Sequence, residues 1–492
     1  VPKSIGSKIV KGSFILILLR ILILSLGLIS TTILFRILVP EDFGLVASAM
    51  IVVGFVEVLA EFGFDQALIQ NQNATRENYD TAWTLMIIRG LSSSIIIISA
   101  APYAAEFLHE PRLAQILPWL SLAPLMDGFQ NIGVVDFQKK MNFNREFYYK
   151  LTQKIFSFFI TLSSAYWFKS YWALVIGILS GKSIALLLSY LLSSYRPKLC
   201  LKEWKRIFDF SKWIMINHLI LYIGNQSDKT FIQRNFSTHT LGIYKVAEEI
   251  SAIIVELIWP IEKAIYPGFS KVADDKNKIT DYVKTSVQLI ALIFLPLCFG
   301  LALTAEPLVK ILLGAKALEA IPFIQILVLH GAIRSCISSL PPFYMALNKP
   351  SIGTRITFTT ITFRLILLYF FIREIGAIGA AWSLVLSSLL GYFIHWGVVT
   401  NLLALRWWQF PLLIWRSLTG AIFMVYMVHE YGPILNHWLD IVSVWPDLLI
   451  RIAIGMISYI SVVLILWMIS NDLQSPEYHI LRKLKFNKLI KV

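Results

Sequence analysis

Long apolar runs follow one another along almost the whole chain, separated by short polar punctuation. Each run is about 20 residues, the length at which a helix crosses a hydrocarbon core. At that length the runs fall at 14–38, 43–69, 81–104, 113–135, 147–168, 171–194, 211–235, 241–266, 284–305, 319–346, 352–372, 376–400, 410–429 and 447–470. The pattern predicts an all-α, polytopic transmembrane helical bundle of about fourteen spans. Composition agrees. Of 492 residues, 57% are hydrophobic and 15% charged, against about 25% charged in soluble domains. No water-soluble core absorbs so many runs of that length.

The polar punctuation alternates in charge. One set of loops carries Lys3, Lys8 and Lys11, then Arg76, Lys139, Lys140, Arg145 and Lys150. It continues through the 195–212 and 267–284 loops, Lys349, Arg355, Arg406 and the tail 481–492. The other set carries only Arg112, Lys169, Lys310, Lys316 and Arg373, so the cations divide roughly 26 to 5. The positive-inside rule makes the first set cytoplasmic, with both termini inside. The net charge of +14 is thus a membrane-orientation signal, and nucleic acid is not the expected partner. The basic tail "LRKLKFNKLIKV" either lies on the anionic inner leaflet or is a simple positive stop signal.

Two turns repeat. In "FRILVPEDFGL" (35–45) and "IQRNFSTHTLGI" (232–243) an arginine leaves an apolar run and a glycine opens the next. Arg36 precedes Gly44, and Arg234 precedes Gly242, by the same eight positions. Lys139 and Arg145 before the fifth run echo Lys349 and Arg355 before the eleventh. Together these predict two six-helix lobes, 1–194 and 213–400, related by an axis along the membrane normal. The basic stretch 195–212 would link them. Two extra spans (401–470) and a basic cytoplasmic tail (471–492) would follow. Glu41 and Asp42 are read as solvated outer-turn acids that favour the start of a helix.

Ionisable groups inside the runs are the functional candidates, because each costs several kcal/mol unless paired or hydrated. Counting depth at about 1.5 Å per residue puts Arg20, Glu61 and Arg89 on one level. Asp127 and Lys154 share another. Asp228 and Lys229 match Lys245, Glu248 and Glu249 near the outer edge. Salt bridging between helices accounts for such sets. Lys182, His330, Arg334 and Arg364 meet no acid on their own level, which points to a hydrated, cationic cavity. Glu57, Glu61 and Asp65 recur every four residues as a polar stripe, with either an ion-coupling or a charge-neutralising role.

Other motifs carry no chemistry. "GILSGKS" (177–183) is one residue short of a phosphate-binding loop and lies in an apolar run. Gly177 and Gly181, and Gly376 with Ala380, read instead as small faces for close helix packing. Cys200, Cys298 and Cys336 have no ligand or disulfide spacing, and read as packing residues. Nothing resembles a cleaved signal peptide. No loop is long enough for an independent domain, so no ATPase or glycosyltransferase module is expected. A membrane-embedded glycan ligase or polymerase would need a large outer loop with catalytic carboxylates. The largest outer loop, 430–446, has only Glu430 and Asp440. A transporter is expected rather than an enzyme, with no cofactor and no metal.

The stretches "RILVPEDFGLVASAMIVVGFVEVLAEFGFDQALIQ" (36–70), "YDTAWT" (79–84), "AAP" (100–102) and "DFQKKMNF" (136–143) carry a resemblance. The chain resembles the polysaccharide exporters, flippases of lipid-linked oligosaccharides in the multidrug/oligosaccharidyl-lipid/polysaccharide superfamily. Its nearest likeness is to the branch of colanic acid and teichuronic acid exporters. The resemblance implies a MATE-like architecture and a bacterial plasma membrane. It implies movement of a polyprenyl-pyrophosphate-linked oligosaccharide from inner to outer leaflet, by alternating access of two lobes. It also implies a monomer that works beside a polysaccharide polymerase and glycosyltransferases. Under it, Arg20, Arg89, Lys182, Lys229, Arg334 and Arg364 become candidates for holding the pyrophosphate or lining its path. The alternative in the same superfamily is a cation-coupled multidrug antiporter. Such antiporters use a carboxylate on the first span, and none lies between Phe14 and Val39.

Overall fold

The computed structural model describes residues 3–61, 63–71, 73–202, 204–438, 443–470 and 475–478. The tail 481–492 and Asp440 lie outside them. The chain is a succession of helices: α1 (Lys3–Ile37), α2 (Pro40–Leu59), α3 (Phe64–Gln70), α4 (Arg76–Phe107), α5 (Leu113–Leu120), α6 (Leu122–Gly128), α7 (Asp136–Lys139), α8 (Phe143–Phe168) and α9 (Trp172–Leu192). There follow α10 (Trp204–Asn235), α11 (Thr238–Val272), α12 (Lys276–Leu312), α13 (Ala320–Ile337), α14 (Leu340–Ala346), α15 (Pro350–Ile375), α16 (Ile378–Leu403), α17 (Trp415–Trp438) and α18 (Val444–Ser470). Helix is the element that satisfies its own backbone in hydrocarbon. Among the described residues, nine helices are long and apolar enough to cross a membrane. They number ten if the bent pair Trp407–Leu413 and Trp415–Leu435 is one span. This is a multi-pass membrane protein. Helices α8, α10 and α11 have the length but are more polar than that criterion allows.

Local chemistry sets the breaks. Pro40 and Pro350 start α2 and α15 at positions where a missing N–H costs nothing. Asp275 caps α12 by accepting from the N–H groups of Asn277 and Lys278, both at 3.1 Å. Gly376 ends α15 at φ +73° with nothing near its missing side chain. It is therefore a turn glycine, not the packing glycine expected. Gly177 does pack: a Cβ there would fall 2.0 Å from Thr161 Oγ1, so α9 lies close on α8. Two expected runs are broken. The 43–69 run stops at Leu59 and restarts as α3, and the 113–135 run divides into α5, α6 and a 3-10 turn at Ile132–Val135.

Two compact units result, Val1–Val246 and Ala247–Val492. The division falls within α11, and α10 packs against α2, α3 and α4. In the first unit Leu45, Ala49, Val53, Ile97, Ala101, Leu113, Ile116 and Leu120 build a core between α2, α4 and α5. The Tyr222 hydroxyl of α10 donates to the Ile51 carbonyl at 2.7 Å. It occupies the space that a side chain on Gly54 would need. In the second unit α12 packs against α13, α17 and α18. The Tyr459 hydroxyl donates to the Leu292 carbonyl at 2.8 Å. Arg416 and Glu477, both buried, pair at 3.3 Å and tie the segment after α18 to the start of α17.

The repeated turns meet each other within the first unit. A Cβ on Gly44 would lie 1.8 Å from the Thr238 carbonyl oxygen and 3.0 Å from the Gly242 nitrogen. One on Gly242 would lie 1.8 Å from the Pro40 carbonyl oxygen and 3.1 Å from the Gly44 nitrogen. The first turns of α2 and α11 thus touch backbone to backbone, reciprocally. Beside them Asp42 is buried, not solvated as expected. It accepts from the Val39 N–H at 3.3 Å and from the Tyr171 N–H at 3.0 Å. Nearby, Glu110 joins the α4–α5 turn to α11, holding Arg112 through two 2.8 Å bonds and accepting from the Thr238 hydroxyl at 2.6 Å. Gly44→Ala and Gly242→Ala should each lower the thermal midpoint of the purified protein, at an overpacking cost of about 1–3 kcal/mol. Gly27→Ala, with nothing within 4 Å, should not. Melting of all three variants at the wild-type temperature would refute the close contact.

Candidate functional site

The first unit gathers several ionisable side chains from its apolar runs into one cluster. Lys182 on α9 bonds Asp127 on α6, whose other carboxylate oxygen accepts from Gln130 Nε2 at 2.7 Å. Gln130 in turn accepts from the buried Tyr149 hydroxyl at 3.2 Å. Lys182 was expected to lack an acid on its own level; the structure pairs it with Asp127, which the sequence placed on the level of Lys154.

Glu57 belongs to the same cluster. Lys182 and Arg89 attract its carboxylate, while Asp127 and Glu61 repel it. Asp65 likewise feels Arg89 and Glu61. The expected four-residue stripe on one helix is absent, however. Only Glu57 is on α2; Glu61 follows the end of that helix and Asp65 sits on α3. The chain break reaims the two acids. Glu61 lies 3.4 Å from His218 Nδ1 on α10. The cluster therefore holds four carboxylates, Glu57, Glu61, Asp65 and Asp127, against two permanent cations, Arg89 and Lys182, with His218 beside them. Among the groups named, carboxylates outnumber permanent cations.

The second unit has the opposite balance. His330 on α13 bonds the Ser388 hydroxyl on α16, Nδ1 to Oγ 2.5 Å. Arg334, one turn further along α13, and the buried Arg364 on α15 both act on His330 through space. Arg334 also attracts Glu262 on α11. Two guanidiniums and an imidazole thus share one carboxylate among the groups named. The sequence reading joined His330 and Arg334 on one face, and α13 and α16 bring Ser388 to them.

The two remaining candidates stand elsewhere. Arg20 is exposed on α1. Lys229 is buried near the C-terminal end of α10, beside Asp228, which accepts from the Lys229 N–H at 2.9 Å and from the Tyr244 hydroxyl at 2.6 Å. Sequence reasoning missed His218, Gln130, Tyr149, Glu262 and Ser388. Glu262 lies in an apolar run and satisfied the rule applied to the other acids. The neutral groups gave no signal, because a hydroxyl or amide in a span is common.

A family profile described as "Polysaccharide biosynthesis protein" matches residues 33–322, more than half of the chain. The chain belongs to the polysaccharide biosynthesis protein family. The relatives and the fold agree with that membership. The "Lipopolysaccharide biosynthesis protein WzxC" of Escherichia coli (strain K12) is 22% identical over 88% of this chain and 89% of its own. The "Teichuronic acid biosynthesis protein TuaB" of Bacillus subtilis (strain 168) is 25% identical over 57% of this chain and 59% of its own. Among solved structures, the lipid II flippase MurJ in an inward closed conformation superposes with a TM-score of 0.74. It is 14% identical, covering 94% of this chain and all of that one. An inward-facing MATE transporter of the MOP superfamily reaches 0.62 at 13% identity, over 78% of this chain and 98% of that one. This member of the polysaccharide biosynthesis family therefore has the fold shared by those two transporters.

The Asp127–Lys182 pair generates a stability test. Asp127→Asn and Lys182→Gln each leave one charge without its partner. The double variant should recover part of the loss, with a coupling of about 0.5–3 kcal/mol between the sites. Strict additivity in thermal or denaturant unfolding would show that the two side chains do not act together.

Proposed function

We propose that the protein is a flippase. It moves a polyprenyl-pyrophosphate-linked oligosaccharide from the inner to the outer leaflet of a bacterial plasma membrane, for assembly of a surface polysaccharide. The observation that carries this reading is the pair of guanidiniums, Arg334 and Arg364, that act together on His330 within the apolar helices α13 and α15. It occurs in a chain whose relatives are named for lipopolysaccharide and teichuronic acid biosynthesis. A relative from Rhizobium meliloti (strain 1021) is named a "Succinoglycan biosynthesis transport protein", and the shared fold includes a lipid II flippase. A pyrophosphate entering low dielectric needs compensating positive charge, and guanidinium supplies it in a bidentate fork.

In this reading fourteen spans form two six-helix lobes and two additional helices, with both termini cytoplasmic. The lobes alternate access to a central cavity while the polyprenyl tail stays in lipid. Arg334 and Arg364 hold the pyrophosphate. Arg89, Lys182, Arg20 and Lys229 line its path, Lys182 being steadied by Asp127. The chain contributes electrostatics and shape and breaks no bond.

The acid excess around Glu57, Glu61, Asp65 and Asp127 favours a second reading, a cation-coupled multidrug antiporter. The absence of a carboxylate from 14–39 weighs against it. Deletion of the gene separates the two. Accumulation of a lipid-linked sugar on the inner leaflet supports the flippase; drug sensitivity without such a lipid supports the antiporter. In the complemented strain, Arg334→Ala should cut glycan export by about tenfold or more, the loss of one charged contact of 1.5–3 kcal/mol. The exposed side chain should leave the amount of protein in the membrane unchanged. Wild-type export by Arg334→Ala would remove that cluster from the transport path.

A further inference from the structure

A second polar site lies on the basic face of the first unit, away from the membrane-depth cluster. The start of α4, α7 and the extended segment after α9 surround a cavity of about 470 Å³ lined by Arg76, Tyr79, Asp136, Lys139, Lys140 and Tyr195. Its walls come from "YDTAWT" and "DFQKKMNF", two of the stretches that carry the family resemblance and that the transport path leaves unused.

The walls are built rather than incidental. The Tyr79 hydroxyl donates to Asp136 Oδ1 at 2.6 Å, which joins α4 to α7. The Tyr195 hydroxyl and the Lys198 N–H both donate to Asp80 Oδ1, at 2.7 and 2.8 Å. The Cys200 N–H donates to the Thr84 hydroxyl at 2.9 Å. The segment from Tyr195 to Cys200 is thereby hung along α4. Lys139 donates to the Asn71 carbonyl at 2.7 Å and stands 5.5 Å from the Tyr79 ring centroid. The Tyr79 and Tyr195 rings are 5.5 Å apart, tilted by 47°.

The charge is in excess and available. Arg76, Lys139 and Lys140 line the cavity beside one carboxylate, Asp136, and Asp80 stands behind Arg76. Arg76 and Lys140 are 62% and 71% exposed, in contacts of 3.7 Å to Asp80 and 2.6 Å to Asp136. Surface pairs of this kind are worth about 0–1 kcal/mol, so both heads can turn to a bound anion at small cost. Burial opposes charge on Asp136, but the bonds from Lys140 and Tyr79 outweigh it and hold its carboxyl below the usual range. An ionised Asp136 accepts hydroxyl protons. Tyrosine rings offer flat faces to the C–H side of a sugar. Immediately beyond Tyr195, Leu199, Leu201 and Trp204 are exposed, the composition of a segment resting at a membrane interface.

Compact negative charge, hydroxyl groups and an apolar face occur together in a glycosyl phosphate. We propose that this cavity is a docking site for the sugar-phosphate head of a membrane-borne glycosyl phosphate at the inner leaflet. Its amphiphilic source rests on the flippase reading; its phosphate-and-sugar chemistry does not. The volume lies within the range of small-ligand sites, roughly 300–1,000 Å³.

Binding of glucose 1-phosphate, inorganic phosphate and glucose to the full-length protein in phosphatidylcholine nanodiscs tests this by calorimetry. Glucose 1-phosphate should bind, more tightly than phosphate, and glucose should not. The double variant Arg76→Gln/Lys140→Gln should weaken binding by about tenfold or more. Lys202→Gln should change it less than about twofold, because Lys202 is 70% exposed and pairs with Glu77 outside the cavity. Lys140→Gln alone supplies the test if the double variant unfolds. Equal loss in Lys202→Gln, or no binding of glucose 1-phosphate, overturns the site. Equal binding of phosphate, with displacement by added phosphatidylglycerol, would make it a phospholipid site and overturn the glycosyl assignment. If instead the deletion strain accumulates no lipid-linked sugar while glucose 1-phosphate still binds, the flippase reading fails and the site stands.

Discussion

A charge in hydrocarbon has to find its opposite inside the protein or be surrounded by water, and this constraint organises the interior of both units. In the first unit it is met by the Asp127–Lys182 bond and by the mutual field of Glu57, Asp65 and Arg89. In the second it is met only in part. Arg334 and Arg364 act together on His330, and Glu262 is the carboxylate that Arg334 attracts. Among the groups named, carboxylates predominate in the first cluster and guanidiniums in the second.

Breaks in the helices create these clusters. The cut after Leu59 separates Glu57 from Glu61 and Asp65, and places Glu61 beside His218. The cut between α5 and α6 leaves Asp127 on a short helix, where it pairs with Lys182. A continuous helix presents its polar groups along one line, whereas two short pieces present them in two directions. Short helices also expose unsatisfied backbone ends, which the bonds of Asn131 to Ser189, Tyr195 and Gly133 help to cover. Polar side chains are thus needed at the breaks for two reasons, to complete the backbone and to build the site.

The membrane character and the positions of most long helices were legible because hydropathy over about 20 residues reports burial in lipid directly. The same averaging hid the breaks. Pro118, Pro124 and Gly128 interrupt a run that remains apolar throughout. The candidate charges were legible individually, since any ionisable group in a span stands out. Their partners were not. Counting residues from a loop gives one coordinate, the depth, but pairing also depends on tilt and on rotation about the helix axis. Lys182 illustrates this: depth alone gave it no acid, and the structure pairs it with Asp127. The Gly44 and Gly242 spacing was visible as a repeat, but no local rule states that two copies of a repeat touch.

The contact between those two glycines has one further property. Most helix junctions are held by side chains that lose rotational freedom when they pack and regain it when they part, at up to about 2 kcal/mol each. Gly44 and Gly242 have no such freedom to lose. The joint between α2 and α11 at this point forms or separates without an entropic charge from either residue. Its surfaces are the same shape after every separation. The point of closest approach is thus held by the two residues that cannot be found in the wrong rotamer.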